Sequence, residues 1–563
     1  MDLTGLLPAA GRGRRTVLLA VVVGSAVGLA VAAFERLVVS GILSRLFRAP
    51  LAVQATAPLV GLGLTALVLR VLASGASPST ADEYIKNFHE RDRRLDLHPV
   101  FGRVAASVLT LGSGCAMGLE GPSVYMGSAI GSAVQARTAR WFSREDAKAL
   151  LVAGAAAGVA AIFKAPATGA LFALEVPFQA DLARRMLLPA LFAASMSYLT
   201  FVAINGTTPL FPVAGSPALD FKDLASAVAI GLLAGLAARL FACAVRAAKR
   251  LSTTAHPIAR ILGAGIVLAA VILASKALTG DTLALGPGYR TITWAIEPRH
   301  AVGEVIGLLV LRGLATTTAV AGGGAGGLFI PLVIEGALLG RAVGGAVGTP
   351  GSSLFPVLGV AAFLGAGYRV PLAAVMFVAE STGKPAFVVP GLIAAAASQL
   401  TMGSRSVSTY QQARRAGHLE QRLDLPLASL VRTDAATVPP DATLSDLFTH
   451  HMLGVRLLSV PVVDRATYLG TIDLHDVAAI DQTTWDETLV CDVMKTDRPV
   501  ADLGWTIGQA LAALERADSD RLVVIDNDDY IGVVTIGEIL KLDEILNTIG
   551  TAAGPISDRR TDA

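Results

Sequence analysis

The chain has 563 residues, of which 53% are hydrophobic and 16% charged, with a formal net charge of +2; soluble domains carry about 25% charged residues. The balance offers no global field for nucleic acid, and three distant cysteines, Cys115, Cys243 and Cys491, build neither a disulfide framework nor a zinc site. With aromatics at 6% and 57 glycines, a composition suited to close helix packing in lipid, the chain reads as a multi-span helical membrane protein.

Arg12, Arg14 and Arg15 precede a first apolar stretch over 16–34. That stretch is of spanning length, at roughly 20 residues, and no cleavage site ends it. The basic cluster predicts a short cytoplasmic segment over 1–15. Apolar segments then recur at 51–73, 99–117, 122–137, 148–163, 165–177, 186–204, 221–246, 259–278, 301–320, 327–346, 353–367, 370–382 and 386–402. Several are too short for a perpendicular span, and many are broken by Gly or Pro. Broken helices are tolerated in lipid only where protein or a water-filled cavity satisfies the freed backbone, so the short pieces should meet inside the protein. Between 75 and 100, Asp82, Glu83, Glu90, Asp92 and Asp96 alternate with Lys86, Arg91, Arg93 and Arg94, which reads as a solvated connector rather than a metal loop. The character changes near residue 420. Strands are predicted at 457–464, 468–474, 521–528 and 530–536, with amphipathic helices at 443–453 and 506–517. The pair His450–His451 has no Cys or Glu at ligand spacing and reads as surface.

An internal repeat is the most specific signal. GLEGPSVYMGSAIGSAV (118–134) and GLFIPLVIEGALLGRAV (327–343) agree at eight of seventeen positions, 209 residues apart. FKAPATGALFALE (163–175) matches YRVPLAAVMFVAE (368–380) at an offset of 205, and LASG (72–75) matches LALG (283–286) at 211. Collinear matches at three places predict two related halves, with an ion site at their interface. The alignment itself does not distinguish parallel from inverted repeats.

GLEGP and GLFIP each put a Gly and a Pro at the start of an apolar helix. Pro suits the first helical turn, and the neighbouring N–H groups with the helix dipole form a positive site. Two such termini, from Gly118, Leu119, Glu120 and Gly121 and from Gly327, Leu328, Phe329 and Ile330, could hold an anion weakly enough to release it. Glu120 stands in the middle. A carboxylate inside a membrane is costly; it either occupies the anion position as a displaceable, protonatable gate or caps helix N–H groups. Glu175 and Glu380, repeat mates, read as structural partners of buried donors. Lys164 and Arg369 read as snorkelling anchors at helix ends, and Glu335 faces either a vestibule or packed protein.

Together these residues give the segment from about 16 to 417 a resemblance to the CLC family of chloride channels and proton-coupled chloride exchangers. GLEGP resembles that family's G-[KR]-E-G-P and GGLFIP (326–331) its G-x-F-x-P; LGPGY (285–289) and ATTTAVAGGGAGG (315–327) also fit. The resemblance implies two inverted repeats of broken, tilted helices, over about 16–205 and 221–417 within a membrane domain over 16–420. It implies a homodimer with one pore per subunit, backbone anion contacts at Glu120, Leu328 and Phe329, and Glu120 as gate. There are departures. Where the family has G-S-G-I-P this chain has SGASP (74–78), so Gly75 replaces the selectivity serine and Ser77 lies two places on. Leu119 replaces the basic neighbour of the gate. Ser408 takes the place of the late anion-coordinating tyrosine, with Tyr410 two residues further. At FALEVP (172–177), Val176 follows Glu175 where exchangers of the family usually carry a second acid that accepts the internal proton.

The expectation from Val176 is a passive chloride channel, sensitive to voltage or pH; the alternative is a proton-coupled chloride exchanger. A CBS-regulated cation transporter would need clustered acidic ligands in the spans, and an intramembrane enzyme a nucleophile–base pair or metal motif; neither is found. The tail resembles a soluble α/β pair of CBS domains, over 427–482 and 488–546, before a flexible segment at 547–563. In such modules a hydroxyl residue and an acid three later hold the ribose of an adenine nucleotide: Thr535 and Glu538 fit best, Asp473 and Asp476 less well. No cofactor is required by this reading. The expected partners are the lipid bilayer, small anions and a second copy of the chain, in a plasma (inner) membrane with both termini cytoplasmic.

Overall fold

The computed structural model describes residues 6–90, 95–139, 142, 148–207, 211, 220–297, 300–349, 351–413, 423, 425–453, 458–517 and 519–549, with side chains from 14 to 542. The chain forms two units, residues 1–414 and 415–563.

Among the described residues the first unit is helical throughout. Its first eight principal helices are α1 (Leu6–Glu35), α2 (Leu51–Leu72), α3 (Ala81–His89), α4 (Val100–Gly112), α5 (Glu120–Arg137), α6 (Ala149–Phe163), α7 (Pro166–Glu175) and α8 (Leu187–Asn205). Eight more follow: α9 (Phe221–Thr254), α10 (Pro257–Thr279), α11 (Tyr289–Ile296), α12 (Val302–Ala321), α13 (Phe329–Ala346), α14 (Leu354–Tyr368), α15 (Pro371–Thr382) and α16 (Val388–Met402). The second eight repeat the first in order. Among the described residues, eight helical stretches are long and apolar enough to cross a membrane. Large apolar side chains such as Leu18, Val60, Leu67, Leu240 and Ile266 are exposed along them, as lipid-facing surfaces require. Helix α1 begins ten residues before the expected Thr16, at Leu6, and a π-helical turn over Arg36–Leu43 extends it.

One helix overturns the reading of 75–100 as a solvated connector. Helix α3 buries Asp82, Tyr84, Ile85 and Asn87, and its charges are paired inward. Lys249 Nζ donates to Asp82 at 2.5 Å, and Arg103 meets Glu83 at 3.3 Å. Helix α11 is its counterpart in the second half. Both are too short, and α3 too charged, to register as apolar segments.

Inside each half the second element of the 209-residue match crosses its neighbour through glycine. A Cβ on Gly127 would lie 2.0 Å from the Gly154 carbonyl oxygen, and one on Gly359 2.0 Å from that of Gly336. Only glycine permits α5 to touch α6, and α13 to touch α14, backbone to backbone.

Gly118 N–H donates to Gly327 O at 2.9 Å and Gly327 N–H to Gly118 O at 2.8 Å. These two glycines are repeat mates, and their bridge is antiparallel. Glu175 accepts from Leu372 and Ala373 N–H, while its mate Glu380 accepts from Ala167 and Thr168 N–H, the mates of Leu372 and Ala373. Reciprocal exchange between antiparallel equivalents is the signature of a two-fold axis between the repeats, as the expected inverted repeat requires.

The second unit carries a five-stranded sheet in the order β1-β2-β5-β4-β3. Its strands are β1 (Ser459–Asp464), β2 (Thr467–Asp473), β3 (Val500–Asp502), β4 (Arg521–Asp526) and β5 (Asp529–Thr535). β1–β2 and β4–β5 are antiparallel hairpins with the same register and a bulge at the same place, Val462/Val463 and Val524/Ile525. The three-residue β3, parallel to β4, is an addition to the predicted strands. The helix expected at 506–517 is present as Ile507–Arg516 with a Thr506–Gln509 capping box. That expected at 443–453 is one α-turn followed by a π-helix. Most of the tail expected to be flexible, and the first residues of the N-terminal segment, lie outside the described residues.

Candidate functional site at the seam of the two halves

The antiparallel glycine bridge brings the N-termini of α5 and α13 together. Glu120 opens α5, and its carboxylate reaches across the seam to the first turn of α13. Oε1 accepts from Phe329 N–H at 2.6 Å. Oε2 has no hydrogen-bond partner among the described residues. Glycine makes the room: a Cβ on Gly118 would lie 1.8 Å from Oε2, and one on Gly327 2.1 Å from Oε1. A negative group from one half thus rests in the positive helix end of the other. Leu119, Gly121, Leu328, Phe329 and Ile330 are all buried around it.

The loops that lead into α3 and α11 are clamped by two buried arginines. Arg103 Nε donates to Ser77 O at 3.0 Å, and its guanidinium also reaches the Tyr125 hydroxyl at 2.9 Å. Arg312 donates to Gly286 O at 2.9 Å and Pro287 O at 3.1 Å, with Glu335 as its nearest acidic neighbour. Arg103 and Arg312 are 209 residues apart, so the repeat offset already contained them; the sequence reading passed over both. Glu335 faces packed protein beside Arg312.

Glu175 and Glu380 fill the structural role expected of them. Glu175 receives Leu372 and Ala373 N–H at 3.1 and 2.8 Å. Glu380 receives Ala167 and Thr168 N–H at 2.9 and 2.8 Å, and the Thr168 hydroxyl at 2.6 Å. Each caps the short helix of the opposite half. Lys164 and Arg369 share a left-handed backbone at φ 54 and 58, one residue past α6 and α14. Both thus lie at helix ends as expected, and Arg369 donates to the carbonyls of Gln179 and Gly403.

The side chains expected to line the anion path are placed less simply. Gly75 ends α2 with φ +74 and donates its N–H to Leu69 O at 2.9 Å. Ser77 is exposed and held by Arg103. Nearer the seam is a hydroxyl the sequence did not single out, that of Thr80, the buried N-cap of α3. Its Oγ1 lies 3.4 Å from Gly326 O. The Ser408 hydroxyl is committed to Asp82 at 3.0 Å. Tyr410 is 43% exposed, with Lys86 Nζ 5.9 Å from its ring centre. Val176 is buried, and its carbonyl accepts from Gln411 Nε2 at 2.8 Å.

An aromatic cluster drawn from both halves surrounds the first residue of α13. Phe329 packs against Phe163 at 4.4 Å, Phe377 at 5.0 Å and Phe172 at 5.5 Å between ring centres. Phe172 in turn meets Tyr368 edge-on at 5.4 Å.

In the second unit Thr535 and Glu538 satisfy one another. Thr535 N–H and hydroxyl donate to Glu538 Oε2 at 2.9 and 3.1 Å, and Arg432 approaches Oε1 at 3.4 Å. A cavity of about 680 Å³ lies instead on the side of Asp473, lined by Ser459, Thr471, Asp473, His475, Arg498 and Arg521 among others. Arg498 pairs with Asp473 there; Asp476 is bonded to Lys495 at 2.5 Å. Among the described residues no group of His, Cys, Asp or Glu has a metal-binding arrangement.

Residues 60–403 match the family profile of voltage-gated chloride channels, and 427–481 and 490–544 each match that of the CBS domain. Relatives described as H(+)/Cl(-) exchange transporter ClcA align over 299 residues, 50% of this chain: that of Salmonella paratyphi A is 28% identical and that of Citrobacter koseri 29%. The chain spans 61% of the length of these relatives. Among solved structures, a CLC-type fluoride/proton antiporter superposes with a TM-score of 0.63 at 22% identity, over 71% of this chain and 98% of that one. A slow cyanobacterial Cl-/H+ antiporter gives 0.61 at 20% identity, over 69% and 94%. A eukaryotic CLC transporter gives 0.58 at 18%, over 94% and 98%. With a family profile matching well over half of its length and the inverted helical repeat in place, the chain belongs to the voltage-gated chloride channel (CLC) family, with a tandem pair of CBS domains in its C-terminal unit.

Proposed function

We propose that this protein moves chloride-like anions across a membrane through the seam of each subunit, with Glu120 as the gate, in exchange for protons. The observation that carries this reading is the Glu120 carboxylate seated on the first amide of α13, that of Phe329. A carboxylate and a chloride ion make the same demand on that nest, so the two compete for it. Protonation or displacement of Glu120 frees the nest, and the departing side chain can carry the proton.

Val176 alone favoured a passive channel. The weight on the other side is that the aligned relatives are described as H(+)/Cl(-) exchange transporters and two superposable structures as antiporters. On this reading the protein works as a homodimer with one pathway per subunit, and the basic cluster of Arg12, Arg14 and Arg15 supports a cytoplasmic N-terminus. The deciding experiment is reconstitution into vesicles. A chloride gradient should drive protons uphill; anion flux without sustained proton movement would return the reading to a channel.

The C-terminal pair binds an adenine nucleotide in the Asp473-side cavity, where Arg498 and Arg521 can meet phosphate. Calorimetry on the full-length protein in detergent should find micromolar binding of an adenine nucleotide. Arg498→Ala should weaken it about tenfold, or ~1.4 kcal/mol, with Thr535→Ala unchanged. The reverse order would move the site to Thr535 and Glu538.

A further inference from the structure

Glu120 is 1% exposed, so a proton that reaches it from the cytoplasm needs a carrier on the way. Position 176, where the family resemblance puts that carrier, is a buried valine. A histidine stands beside it. We propose that His89, the last residue of α3, accepts the cytoplasmic proton in place of a side chain at 176. The inference rests on the exchange reading above.

Helix α3 starts at the seam and leads away from it. The hydroxyl of Thr80, its N-cap, lies 3.4 Å from Gly326 O, and His89 follows roughly 14 Å further along the axis. Two spans, α1 and α2, precede α3, so a chain that begins in the cytoplasm has returned to that side before it. The helix runs along the end of α7: the Tyr84 hydroxyl donates to Ala173 O at 2.6 Å, and His89 Nε2 donates to Pro177 O at 2.8 Å. Pro177 is the residue next to Val176. A carbonyl oxygen only accepts, so Nε2 carries the hydrogen and Nδ1 is the basic nitrogen. Nδ1 has no hydrogen bond among the described residues, and the side chain is part-exposed. Phe88 and Phe178 meet the ring edge-on, with ring centres at 5.1 and 5.3 Å. The imidazole is thus fixed at position 176 with its proton-accepting atom open. An imidazole changes charge between pH 5 and 8 without special tuning.

The nearby acids are committed elsewhere. Glu175 caps Leu372 and Ala373, Asp82 is bonded to Lys249 and Ser408, and Glu83 faces Arg103. The charged neighbours of His89 on its own helix are Lys86 and Glu90, which lie 4.0 Å from one another; the facing segment 176–179 carries no charge. Gln411 adds a second sign of a polar path. Its Nε2 donates to the carbonyls of Val176 and Tyr368 at 2.8 and 2.7 Å, which fixes the amide, and its Oε1 is buried with no hydrogen-bond partner among the described residues. A buried oxygen in want of a donor is a seat for water. From there the packing leads to the gate, since Tyr368 meets Phe172 and Phe172 meets Phe329, whose amide holds Glu120. The step is a proton transfer alone. Nδ1 takes a proton from cytoplasmic water to give the imidazolium, which passes it through water to the Glu120 carboxylate and becomes neutral again.

His89→Gln keeps an N–H for Pro177 O and takes no proton; His89→Asn is a second variant of the same kind should the first not fold. Full-length protein in vesicles, with chloride and proton movement recorded together and thermal melting beside them, gives the readout. In His89→Gln the number of protons moved per chloride ion should fall at least about tenfold, with chloride flux still measurable and melting unchanged. His89→Glu, which holds a proton again, should recover part of that ratio. His98→Gln, at an exposed histidine in the following loop, should keep the ratio of the unsubstituted protein. An undiminished ratio in His89→Gln would overturn the assignment, as would an equal fall in His98→Gln or a ratio in His89→Glu no higher than in His89→Gln. If the unsubstituted protein passes chloride and moves no protons against it, the exchange reading fails first and the assignment falls with it.

Discussion

Gly118→Ala should empty the seam of its carboxylate. The three atoms nearest the added methyl all belong to Glu120: Oε2 at 1.8 Å, Cδ at 2.5 Å and Oε1 at 2.6 Å. What must move is therefore the free end of one side chain, and the backbone bridge to Gly327 can stay. Eviction forfeits the hydrogen bond from Phe329 N–H, a charge-assisted bond worth about 1.5–3 kcal/mol. Anion efflux from vesicles should rise at least about tenfold, on the scale of losing one such bond, and should lose its pH dependence. Added to Glu120→Ala, the same methyl should change little. Gly327→Ala is a different case, because its methyl would also lie 2.5 Å from the Gly121 amide nitrogen. That variant should lose stability as well as gating. Slow, pH-sensitive efflux in Gly118→Ala, unchanged from the parent, would contradict the occupancy of the nest by Glu120.

The second large effect belongs to the crossed glutamates. Glu175→Ala leaves the amides of Leu372 and Ala373 unpaired, and Glu380→Ala those of Ala167 and Thr168. An unsatisfied buried group costs about 1–3 kcal/mol, so each variant, with two amides unpaired, should lose roughly 2–6 kcal/mol, which is a large share of a folded protein's margin. Thermal melting in detergent should fall clearly for both, and Gln at either position should recover part of the loss by keeping an acceptor. Anion preference should not change. A Glu175→Ala protein that melts normally but loses proton movement would make Glu175 a transport residue rather than a cap.

Much of this was legible in the sequence, because an inverted repeat writes its contacts twice. Gly118 and Gly327, Glu175 and Glu380, and the glycine crossings at Gly127 and Gly336 all fall on the offsets of 209 and 205. The same offset held Arg103 and Arg312, but an arginine in an apolar helix gives no sign that it clamps carbonyls in a loop far along the chain. Helices α3 and α11 were hidden by their length. A nine-residue helix rich in Asp, Glu and Lys carries the pattern of a surface connector, and only its tertiary partners, Lys249 and Arg103, reveal that it is buried. The register of a side-chain hydroxyl depends on how loops close, and the substitutions at Gly75 and Ser408 left no motif to follow. In the tail, the hairpins repeat at an offset of 62. The motif pointed to Thr535 and Glu538, but their mutual hydrogen bonding and the opening at Asp473 are matters of side-chain pairing rather than pattern.

The central claim is that a carboxylate and an anion compete for the first turn of α13. Chloride flux and proton movement into vesicles, recorded together at one acidic and one neutral pH for the parent and Glu120→Gln, test it directly. In the parent, flux should rise as pH falls, because the neutral acid no longer competes, and chloride should drive protons uphill. Glu120→Gln should pass chloride at a rate independent of pH and move no protons against their gradient. A Glu120→Gln protein with the parent's pH response and proton coupling would contradict the account.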